Sequence, residues 1–308
     1  MNRMHAPLLP ALGEAPVDPS FGRSIGAILI DAGRLSPADA ESILRFQKQH
    51  GSRFGDAAIE LGLLSREDIR FALAHQFDYP CLPAGDPRSG LGSGLDSLPD
   101  PSLVAAYRPD ARIVEQLRGL RSQLMLRWFE AARAGRALAV VGTGRYEGRS
   151  FIAANLAVVF SQLGERTLLI DADLRAPAQH RLFRLDTRPG LSERLSGRAG
   201  DGVIVRIPGL RALSVLPAGA LPPNPQELLG RAAFGELLRT ACRDYDVVLI
   251  DTPAVGEYAD ALTLAARAGG ALLVARQDRS SLSAFASLAT GLGKTCAVVG
   301  SVLNDVRR

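Results

Sequence analysis

The stretch ALAVVGTGRYEGRSFIAANLA, residues 137–157, decides the fold of this chain. An apolar run over residues 137–141 leads into a glycine-rich turn that ends at Ser150, and the small and apolar residues that follow are typical of a helix. Strand, glycine turn and helix start together predict a phosphate-binding loop, in which backbone N–H groups face phosphate oxygens. Thr143 stands where the standard loop has its first Gly, and Arg149 stands where it has Lys.

Length and composition indicate a globular protein of about two domains. The chain has 308 residues, of which 22% are charged, and roughly 150 residues is the usual size of one domain. No apolar run reaches the roughly 18–20 residues of a membrane span, and no signal-peptide pattern opens the chain. We therefore expect a cytoplasmic protein whose membrane connection, if it has one, comes through a partner.

Neither a disulfide framework nor a metal-ligand spacing is visible among the cysteines and histidines. Cys81, Cys242 and Cys296 lie far apart, as do the four histidines. The net charge of +4 comes mainly from arginines that are scattered along the chain. No arginine block interleaved with aromatic residues points to nucleic acid, so none is expected as a partner.

An internal repeat follows residues 1–20, a stretch rich in Pro and Ala that we predict to be disordered. Residues 24–36 align with residues 53–65 at a constant offset of 29. In each copy a short apolar helix ends at a glycine, and a serine then opens an amphipathic helix with an acid in its first turn. The offset superposes Gly26 on Gly55, Gly33 on Gly62, Ser36 on Ser65 and Gln47 on Gln76. This pattern predicts a tandem pair of helical hairpins, which could be a module that only docks protein.

Two further aliphatic runs end in carboxylates. Residues 166–170 lead to Asp171 and Asp173, and residues 247–250 lead to Asp251. Near-continuous aliphatic runs are typical of parallel strands covered on both faces. Because the carboxyl ends of parallel strands meet at one edge of a sheet, the three acids should lie beside the glycine turn. Mg²⁺ prefers such oxygen ligands, so the sequence predicts a site for a nucleoside triphosphate.

Together these patterns predict an α/β fold, a doubly wound and mostly parallel P-loop domain preceded by a small all-α domain. Residues 271–275 and 297–300 supply further strands. The predicted order along the chain is a disordered tail over 1–20, a helical repeat domain over 21–82, a linker over 83–110 and the P-loop domain over 111–308.

The P-loop domain opens with a predicted helix over residues 111–134. Its apolar stripe includes Leu117, Leu124 and Trp128. Glu115, Arg118 and Arg121 follow a Glu-x-x-Arg-x-x-Arg spacing, which by itself is also typical of solvated i, i+3 charge pairs.

The glycine turn, the run LLIDADLR (168–175) and the run VVLIDTP (247–253) resemble the Walker A, A′ and B motifs of bacterial tyrosine kinases. Residues 216–229 are also similar to that family. The resemblance implies a chain-length-determinant tyrosine kinase of exopolysaccharide operons, of the EpsG type, which uses ATP and Mg²⁺ and works with a membrane adaptor protein. It further implies that Glu115, Arg118 and Arg121 mediate assembly into a ring-like homo-oligomer.

The same resemblance assigns roles to individual residues. Asp171, Asp173 and Arg149 would be catalytic, with Asp171 the base for a tyrosine hydroxyl. Ser150, Asp173 and Asp251 would hold the metal. The nucleotide would be bound by Thr143, Gly144, Arg145, Tyr146, Glu147, Gly148, Arg149, Ser150 and Phe151.

The N-terminal repeat resembles the N-terminal domain of MshE-type secretion and pilus ATPases. In that family two 24-residue motifs with a five-residue spacer bind cyclic di-GMP. Here the motifs run over residues 24–47 and 53–76, so the length and the spacing both match. The resemblance implies a cyclic di-GMP site made by Arg23, Gly26, Gln47, Arg53, Gly55 and Gln76.

Three departures separate the chain from the kinase pattern. Arg149 keeps the charge of the usual lysine but is larger and planar. Tyr146 occupies a position that often needs glycine. The last tyrosine is Tyr258, so we expect no self-phosphorylation on a C-terminal tyrosine cluster.

Two alternatives to an active kinase therefore stay open. One is an ATP-binding, weakly catalytic regulator that couples cyclic di-GMP to polysaccharide synthesis. The other is a partitioning ATPase of the MinD kind, although that group has a second lysine early in the loop, where this chain has Gly144.

Overall fold

The computed structural model describes residues 23–77, 79–82, 98–130, 136–185 and 189–305. The predicted disordered tail and the first part of the predicted linker, residues 83–97, lie outside these ranges. The chain divides into two compact units, one up to Tyr79 and one from Pro80 onward. Within the described ranges, no helix is both long enough and apolar enough to span a bilayer.

The first unit contains the predicted pair of helical hairpins. Its helices are α1 (Ile25–Asp31), α2 (Pro37–His50), α3 (Phe54–Glu60) and α4 (Arg66–Gln76). Ser36 and Ser65 cap α2 and α4 by accepting the N–H groups of Asp39 and Asp68, as predicted.

Glycines set the close approach of the helices in the first unit. A Cβ at Gly26 would lie 3.3 Å from the ring of Phe54, and one at Gly55 would lie 3.2 Å from the side chain of Ile69. The two glycines that end the first helix of each repeat, Gly33 and Gly62, both have φ of +67°. The glycines shared by the two repeats are therefore explained by packing and by helix termination.

The second unit is built on a sheet whose described strands have the order β3-β4-β2-β5-β1-β6-β7. All neighbouring pairs are parallel except the antiparallel pair of β3 with β4. The strands are β1 (Arg136–Gly142), β2 (Thr167–Asp171), β3 (Val205–Arg206), β4 (Leu213–Leu216), β5 (Val247–Asp251), β6 (Gly270–Arg276) and β7 (Ala297–Asn304).

Helices cover both faces of this sheet, so the predicted doubly wound α/β fold is confirmed. Helices α5 (Val104–Tyr107), α6 (Arg112–Leu124) and α7 (Arg149–Gln162) pack on one face. The remaining helices are α8 (Gln179–Leu182), α9 (Leu191–Leu195), α10 (Pro225–Gly230), α11 (Ala232–Asp244), α12 (Asp260–Ala268) and α13 (Leu282–Leu292). Of these, α9 to α13 contribute to the opposite face.

The central strands β2 and β5 are buried along their whole length, which explains their near-continuous aliphatic sequences. Sequence patterns missed β3 and β4, because β3 has two residues and β4 only four. Helix α10 begins at Pro225, and the side chain of Asn224, which precedes it, makes no capping hydrogen bond.

The helix predicted over residues 111–134 is shorter in the structure. The α-helix α6 ends at Leu124 and continues as a π-helical turn, Met125–Phe129. Leu117, Leu124 and Trp128 are buried, as the apolar stripe predicts.

Residues 98–110, which the sequence placed in the linker, pack on the second unit. Leu103, Ala105 and Ala106 are fully buried in its core. Asn155 of α7, also fully buried, accepts the N–H of Ala105 at 3.0 Å and donates to the carbonyl of Ser102 at 3.1 Å. Asn155 in α7 thus holds residues 98–110 in place by hydrogen bonds. The Pro- and Ser-containing sequence of that segment does not indicate this tertiary contact.

Replacing Asn155 tests this contact. We expect Asn155→Ala to lower the free energy of unfolding by about 2–3 kcal/mol, because the N–H of Ala105 would lose its buried acceptor. Urea unfolding of the full chain measures the change. The exposed helical amide of Gln123 supplies the control, since Gln123→Ala should stay within about 0.5 kcal/mol. Equal stability of the two variants would contradict the role given to Asn155.

Candidate functional site

The glycine turn connects the end of β1 at Gly142 with the start of α7 at Arg149. Gly148 has φ of +93°, and a Cβ there would overlap the side-chain amide of Asn304. Tyr146 also has a left-handed backbone, with φ of +62°. The sequence therefore correctly marked Tyr146 as a position where glycine is usual, and its conformation costs roughly 1–2 kcal/mol.

Residues from the ends of β6 and β7 hold the turn in this conformation. Arg276 donates to the carbonyl of Tyr146 at 3.0 Å, and Arg279 donates to the carbonyl of Arg145 at 3.2 Å. The guanidinium of Arg279 also lies 5.3 Å from the centre of the Tyr146 ring. Asn304 donates to the carbonyl of Glu147 at 3.0 Å. These contacts offset the backbone strain of the turn.

The buried side chain of Glu147 stabilises the turn through hydrogen bonds. It is 2% exposed, and its Oε1 accepts the hydroxyls of Thr143 at 2.6 Å and Ser280 at 2.5 Å. The hydroxyl of Thr143, which replaces the first glycine of the motif, therefore forms a hydrogen bond within the loop.

Arg149 points into the protein in this structure. Its Nε donates to the carbonyl of Thr252 at 3.1 Å, its Nη1 donates to the carbonyl of Gly144, and its Nη1 lies 3.8 Å from Glu147. The side chain is 9% exposed. The predicted contact of Arg149 with phosphate therefore needs a rotation of its guanidinium away from these carbonyls.

Asp171 and Asp251 lie side by side at the ends of the neighbouring strands β2 and β5. Both are fully buried. Asp171 Oδ2 accepts the N–H groups of Ala178 and Gln179 at 3.1 and 2.9 Å, and Asp251 Oδ2 accepts Gln179 Nε2 at 2.8 Å. The Oδ1 atom of each carboxylate is buried and has no hydrogen-bond partner within the described residues.

Burial and proximity shift the protonation of both carboxylates. Burial, followed by the charge of Asp251, raises the pKa of Asp171 well above its ordinary value. Burial also raises the pKa of Asp251 from 3.8 to about 6, although Gln179, Ser150 and Arg149 act in the opposite direction. The pair therefore holds protons more tightly than two exposed aspartates would.

Asp173 begins a second polar group at the same edge. Its Oδ1 accepts the N–H groups of Arg175 and Ala176 at 3.1 and 2.9 Å. Arg175 in turn donates to the buried Asp260 at 2.6 Å and lies 3.8 Å from the centre of the Tyr258 ring.

A cavity of about 330 Å³ opens between the turn, Asp173 and the loop that follows β5. Of the residues predicted to bind nucleotide or metal, it is lined by Arg145, Tyr146, Gly148, Arg149, Ser150, Phe151 and Asp173. Thr143, Gly144, Glu147, Asp171 and Asp251 do not line the cavity. Arg175, Arg181, Glu257 and Tyr258 complete its wall and were not predicted.

Gln179 is a central residue that sequence reasoning missed. It is fully buried, and its side-chain amide donates to Asp251 and, at 3.2 Å, to the carbonyl of Ser150. Through its own N–H it also bonds to Asp171. No motif marks this glutamine, because its role depends on where the loop after β2 folds back.

The residues present fit a magnesium ion. No group of three or more His, Cys, Asp or Glu side chains suited to a metal occurs among the described residues. Mg²⁺ in nucleotide sites needs only one or two carboxylates, completed by phosphates and water. Asp251 presents such an oxygen beside Ser150, and Asp171 presents another at the end of the neighbouring strand.

The predicted assembly residues lie on α6. Arg118 forms an ion pair with Glu115, and Arg121 donates to the carbonyl of Val159 in α7 at 2.8 Å. The side chain of Glu115 is 64% exposed. Glu115 is therefore accessible to a partner, whereas Arg121 contacts the chain's own core helix.

The predicted cyclic di-GMP residues lie in the first unit. Arg23 pairs with Asp31 at 2.8 Å, and Gln76 donates to the carbonyl of Arg23 at 3.2 Å. Arg53 is exposed, and no side-chain contact of it is found within the described residues. Gly26 and Gly55 lie at helix contacts.

The fold and the turn define the second unit as a P-loop domain. Comparison with proteins of known sequence identifies the particular family. The chain is 39% identical to the putative tyrosine-protein kinase EpsB of Ralstonia solanacearum over 206 residues, which cover 66% of this chain and 27% of that protein. It is 35% identical to the tyrosine-protein kinase YwqD of Bacillus subtilis over 205 residues, which cover 66% of this chain and 85% of that protein.

Solved structures agree with this comparison. The kinase domain of the Escherichia coli tyrosine kinase ETK is similar with a TM-score of 0.62 at 32% identity, covering 66% of this chain and 80% of that one. No protein-family model matches the chain. The chain belongs to the bacterial tyrosine-protein kinases, and it spans about a quarter of the length of longer relatives such as EpsB.

The pKa of Asp251 predicts a pH-dependent stability. Because the folded chain binds this proton more tightly than the unfolded chain, the stability that the acid contributes is lost as pH rises from about 4 to about 6. As pH rises between these values, we expect the free energy of unfolding of Asp251→Asn to increase by roughly 1–3 kcal/mol relative to that of the parent chain. Urea unfolding in EDTA, at pH 4.5 to 7, measures the difference.

Asp246 supplies the control for this experiment. Its pKa is lowered by the hydrogen bond from Arg166. The difference in free energy of unfolding between Asp246→Asn and the parent should therefore not change with pH above about pH 5. A difference for Asp251→Asn that is equally flat would contradict the burial of a proton at this site.

Proposed function

We propose that this chain is an ATP-dependent protein tyrosine kinase that regulates the chain length and export of an exopolysaccharide. The observation that carries the proposal is the pair of buried carboxylate oxygens beside the phosphate-binding turn, in a chain of the bacterial tyrosine kinase family. The resemblance to the EpsG type supports the link to exopolysaccharide. A membrane adaptor protein would recruit the chain to the inner membrane from the cytoplasm.

In the proposed reaction the backbone N–H groups of residues 143–150 bind the phosphates of ATP, at the N-terminus of α7. The oxygen of an acceptor tyrosine attacks the γ-phosphorus, the bond from that phosphorus to the bridging oxygen breaks, and ADP leaves. The proton of the tyrosine passes to Asp171, whose Oδ1 is unpaired. Its raised pKa makes Asp171 a stronger base than an exposed aspartate.

Mg²⁺ would be held by Ser150, Asp173 and Asp251, and when bound it neutralises charge on the phosphates. Gln179 orients Asp251 through its amide, which keeps one carboxylate oxygen available. Arg149 would turn from the carbonyls of Gly144 and Thr252 toward the β- and γ-phosphates. The guanidinium then supplies the positive charge that lysine supplies in the standard loop.

A phosphotransfer assay tests this proposal. The full chain is incubated with Mg²⁺, ATP and a random glutamate–tyrosine copolymer, and phosphotyrosine is measured by immunoblot. We expect Asp171→Ala to lower the rate at least about 100-fold, as loss of a general base does. Asp56→Ala, which removes an exposed aspartate of α3, should leave it unchanged.

Arg149 variants extend the assay. Arg149→Lys should keep the rate within about tenfold of the parent and Arg149→Ala should lose it, because a cation on this residue is needed at the phosphates. Phosphotyrosine that is absent, or equal in the parent and in Asp171→Ala, would contradict the kinase proposal. Retained ATP binding in that case would support a weakly catalytic regulator.

The regulator is the second candidate, and the exposed Arg53 favours it. We propose that the first unit binds cyclic di-GMP through Arg53, whose planar guanidinium suits a guanine base or a phosphate. Isothermal titration of the full chain should show binding that Arg53→Ala weakens at least about tenfold. Arg66→Ala removes another exposed arginine of the first unit and should leave the affinity unchanged. A flat titration would leave the unit as a docking module.

The proposed ring-like oligomer would use the exposed carboxylate of Glu115 and its partner Arg118. Within one chain the side chain of Arg121 hydrogen-bonds to the backbone of α7.

A further inference from the structure

A second cavity, of about 570 Å³, lies at the opposite edge of the sheet from the glycine turn. It is formed where β2 and β4 begin, between the edge of the sheet and helix α11. We call it the amino-edge groove. Its lining residues that carry the argument are Arg166, Ile204, Arg206, Arg211, Ser214 and Leu237. A volume of this size is typical of a site for a small molecule.

Two arginines of the groove have no ionic partner. The side chains of Arg206 and Arg211 are exposed, and neither makes an ion pair or a side-chain hydrogen bond within the described residues. The third arginine, Arg166, is already bound to Asp246 through two hydrogen bonds of 2.7 and 3.0 Å. The groove therefore carries two positive charges that the protein itself does not neutralise.

The carboxylates at the rim do not cancel these charges. Asp201 pairs with Arg194 at 2.9 Å, and Asp244 pairs with Arg243 at 2.9 Å. Neither Arg194 nor Arg243 lines the groove. The negative charges of Asp201 and Asp244 are thus neutralised by cations outside the cavity. The lining of the groove therefore keeps an excess of positive charge.

The groove is also lined by a serine hydroxyl that has no hydrogen-bond partner among the described residues. Ser214 is 8% exposed, lies opposite Arg206 in the register of β3 with β4, and makes no side-chain hydrogen bond within the described residues. Although most of the residue is buried, its hydroxyl oxygen remains accessible from the groove. Ser214 lines the cavity, so a bound molecule can supply the missing partner.

Apolar side chains line the same groove. Leu237 is buried, and Ile204 packs against the same core. Because one lining combines charged and apolar side chains, it favours a ligand that has an acidic group and an apolar or ring-shaped body.

We propose that the amino-edge groove binds a small organic anion, a phosphomonoester or a carboxylate on an apolar or ring-shaped body. Arg206 and Arg211 pair with the acidic group, Ser214 donates a hydrogen bond to it, and Leu237 contacts the body. Because the groove and the glycine turn lie at opposite edges of the sheet, this site is separate from that of the proposed phosphotransfer.

Isothermal titration of the full chain with two probes tests the proposal. Phenyl phosphate carries a phosphomonoester and benzoate a carboxylate on the same ring, and phenol is the neutral control. We expect at least one anion to bind with a Kd of 1 mM or lower, on the order of common weak ligands, and phenol not to bind. The tighter anion identifies which acidic group the site prefers.

Variants locate the binding. Arg206→Ala and Arg211→Ala should each raise the Kd at least about tenfold, as loss of a charge-assisted hydrogen bond does. Ser214→Ala should raise it by a smaller factor. Arg198→Ala, which removes an exposed arginine outside the groove, is the matched control and should not change the Kd.

Two outcomes would overturn the proposal. One is that neither anion binds to the parent chain at concentrations up to several millimolar. The other is that binding persists unchanged in the double variant Arg206→Ala, Arg211→Ala, which would place the anion elsewhere, for example at the glycine turn. Circular dichroism melting of each variant shows that it is folded. Neither outcome depends on phosphotyrosine formation, so this proposal and the kinase proposal can fail separately.

Discussion

Two buried aspartates, Asp171 and Asp251, impose the main physical constraint on the second unit. Transfer of a charged carboxylate from water into a protein interior is strongly unfavourable unless the group is paired or protonated. Here each carboxylate has one hydrogen-bonded and one unpaired oxygen. The two unpaired oxygens lower the stability of the chain without ligands. Binding of a cation beside the phosphates would pair them, which gives this loss of stability a functional reason.

The parallel sheet makes this arrangement possible. The register pairs Asp171 directly with Asp251, and β1, which leads into the glycine turn, is the other neighbour of β5. Aliphatic residues bury the strands on both faces, so the strand ends cannot move apart without disrupting the core. Gln179 then links both acids to the start of α7. The rigid sheet positions the acids, and the first residue of α8 orients them.

The glycine turn shows how departures from a motif are accommodated. Tyr146 adopts a left-handed backbone that glycine would adopt without strain, and arginines at the end of β6 hold it there. Glu147 accepts hydrogen bonds from the hydroxyls of Thr143, within the turn, and of Ser280. Arg149 is held by carbonyls of the loops that follow β1 and β5. Residues that look like defects in the sequence are therefore integrated into one hydrogen-bonded network.

The two cavities differ in what the protein provides. At the carboxyl edge the acids and the turn form a polar site in which Arg145, Arg149 and Arg175 already have protein partners. At the amino edge Arg206 and Arg211 have none within the part of the chain that the structure describes. An anion that recruits Arg149 at the carboxyl edge must displace its existing contacts, whereas one at the amino edge meets guanidinium groups that no described residue pairs with.

Local patterns in the sequence determined much of the fold, because they act over a few residues. The aliphatic runs fixed β1, β2, β5, β6 and β7, and the strand-end acids Asp171 and Asp251 were correctly expected to meet, since parallel strands align their carboxyl ends. The serine caps and the repeat of the first unit were equally local.

Tertiary structure alone decided what depends on residues distant in the chain. The burial of Asn155 turned part of the predicted linker into core, and β3 and β4 were too short to show a period. The role of Gln179, the inward direction of Arg149 and the amino-edge groove arise from contacts between residues distant in the chain, which no periodicity encodes. Hydrophobic periodicity reports which face of an element is buried, but not which polar group it will meet there.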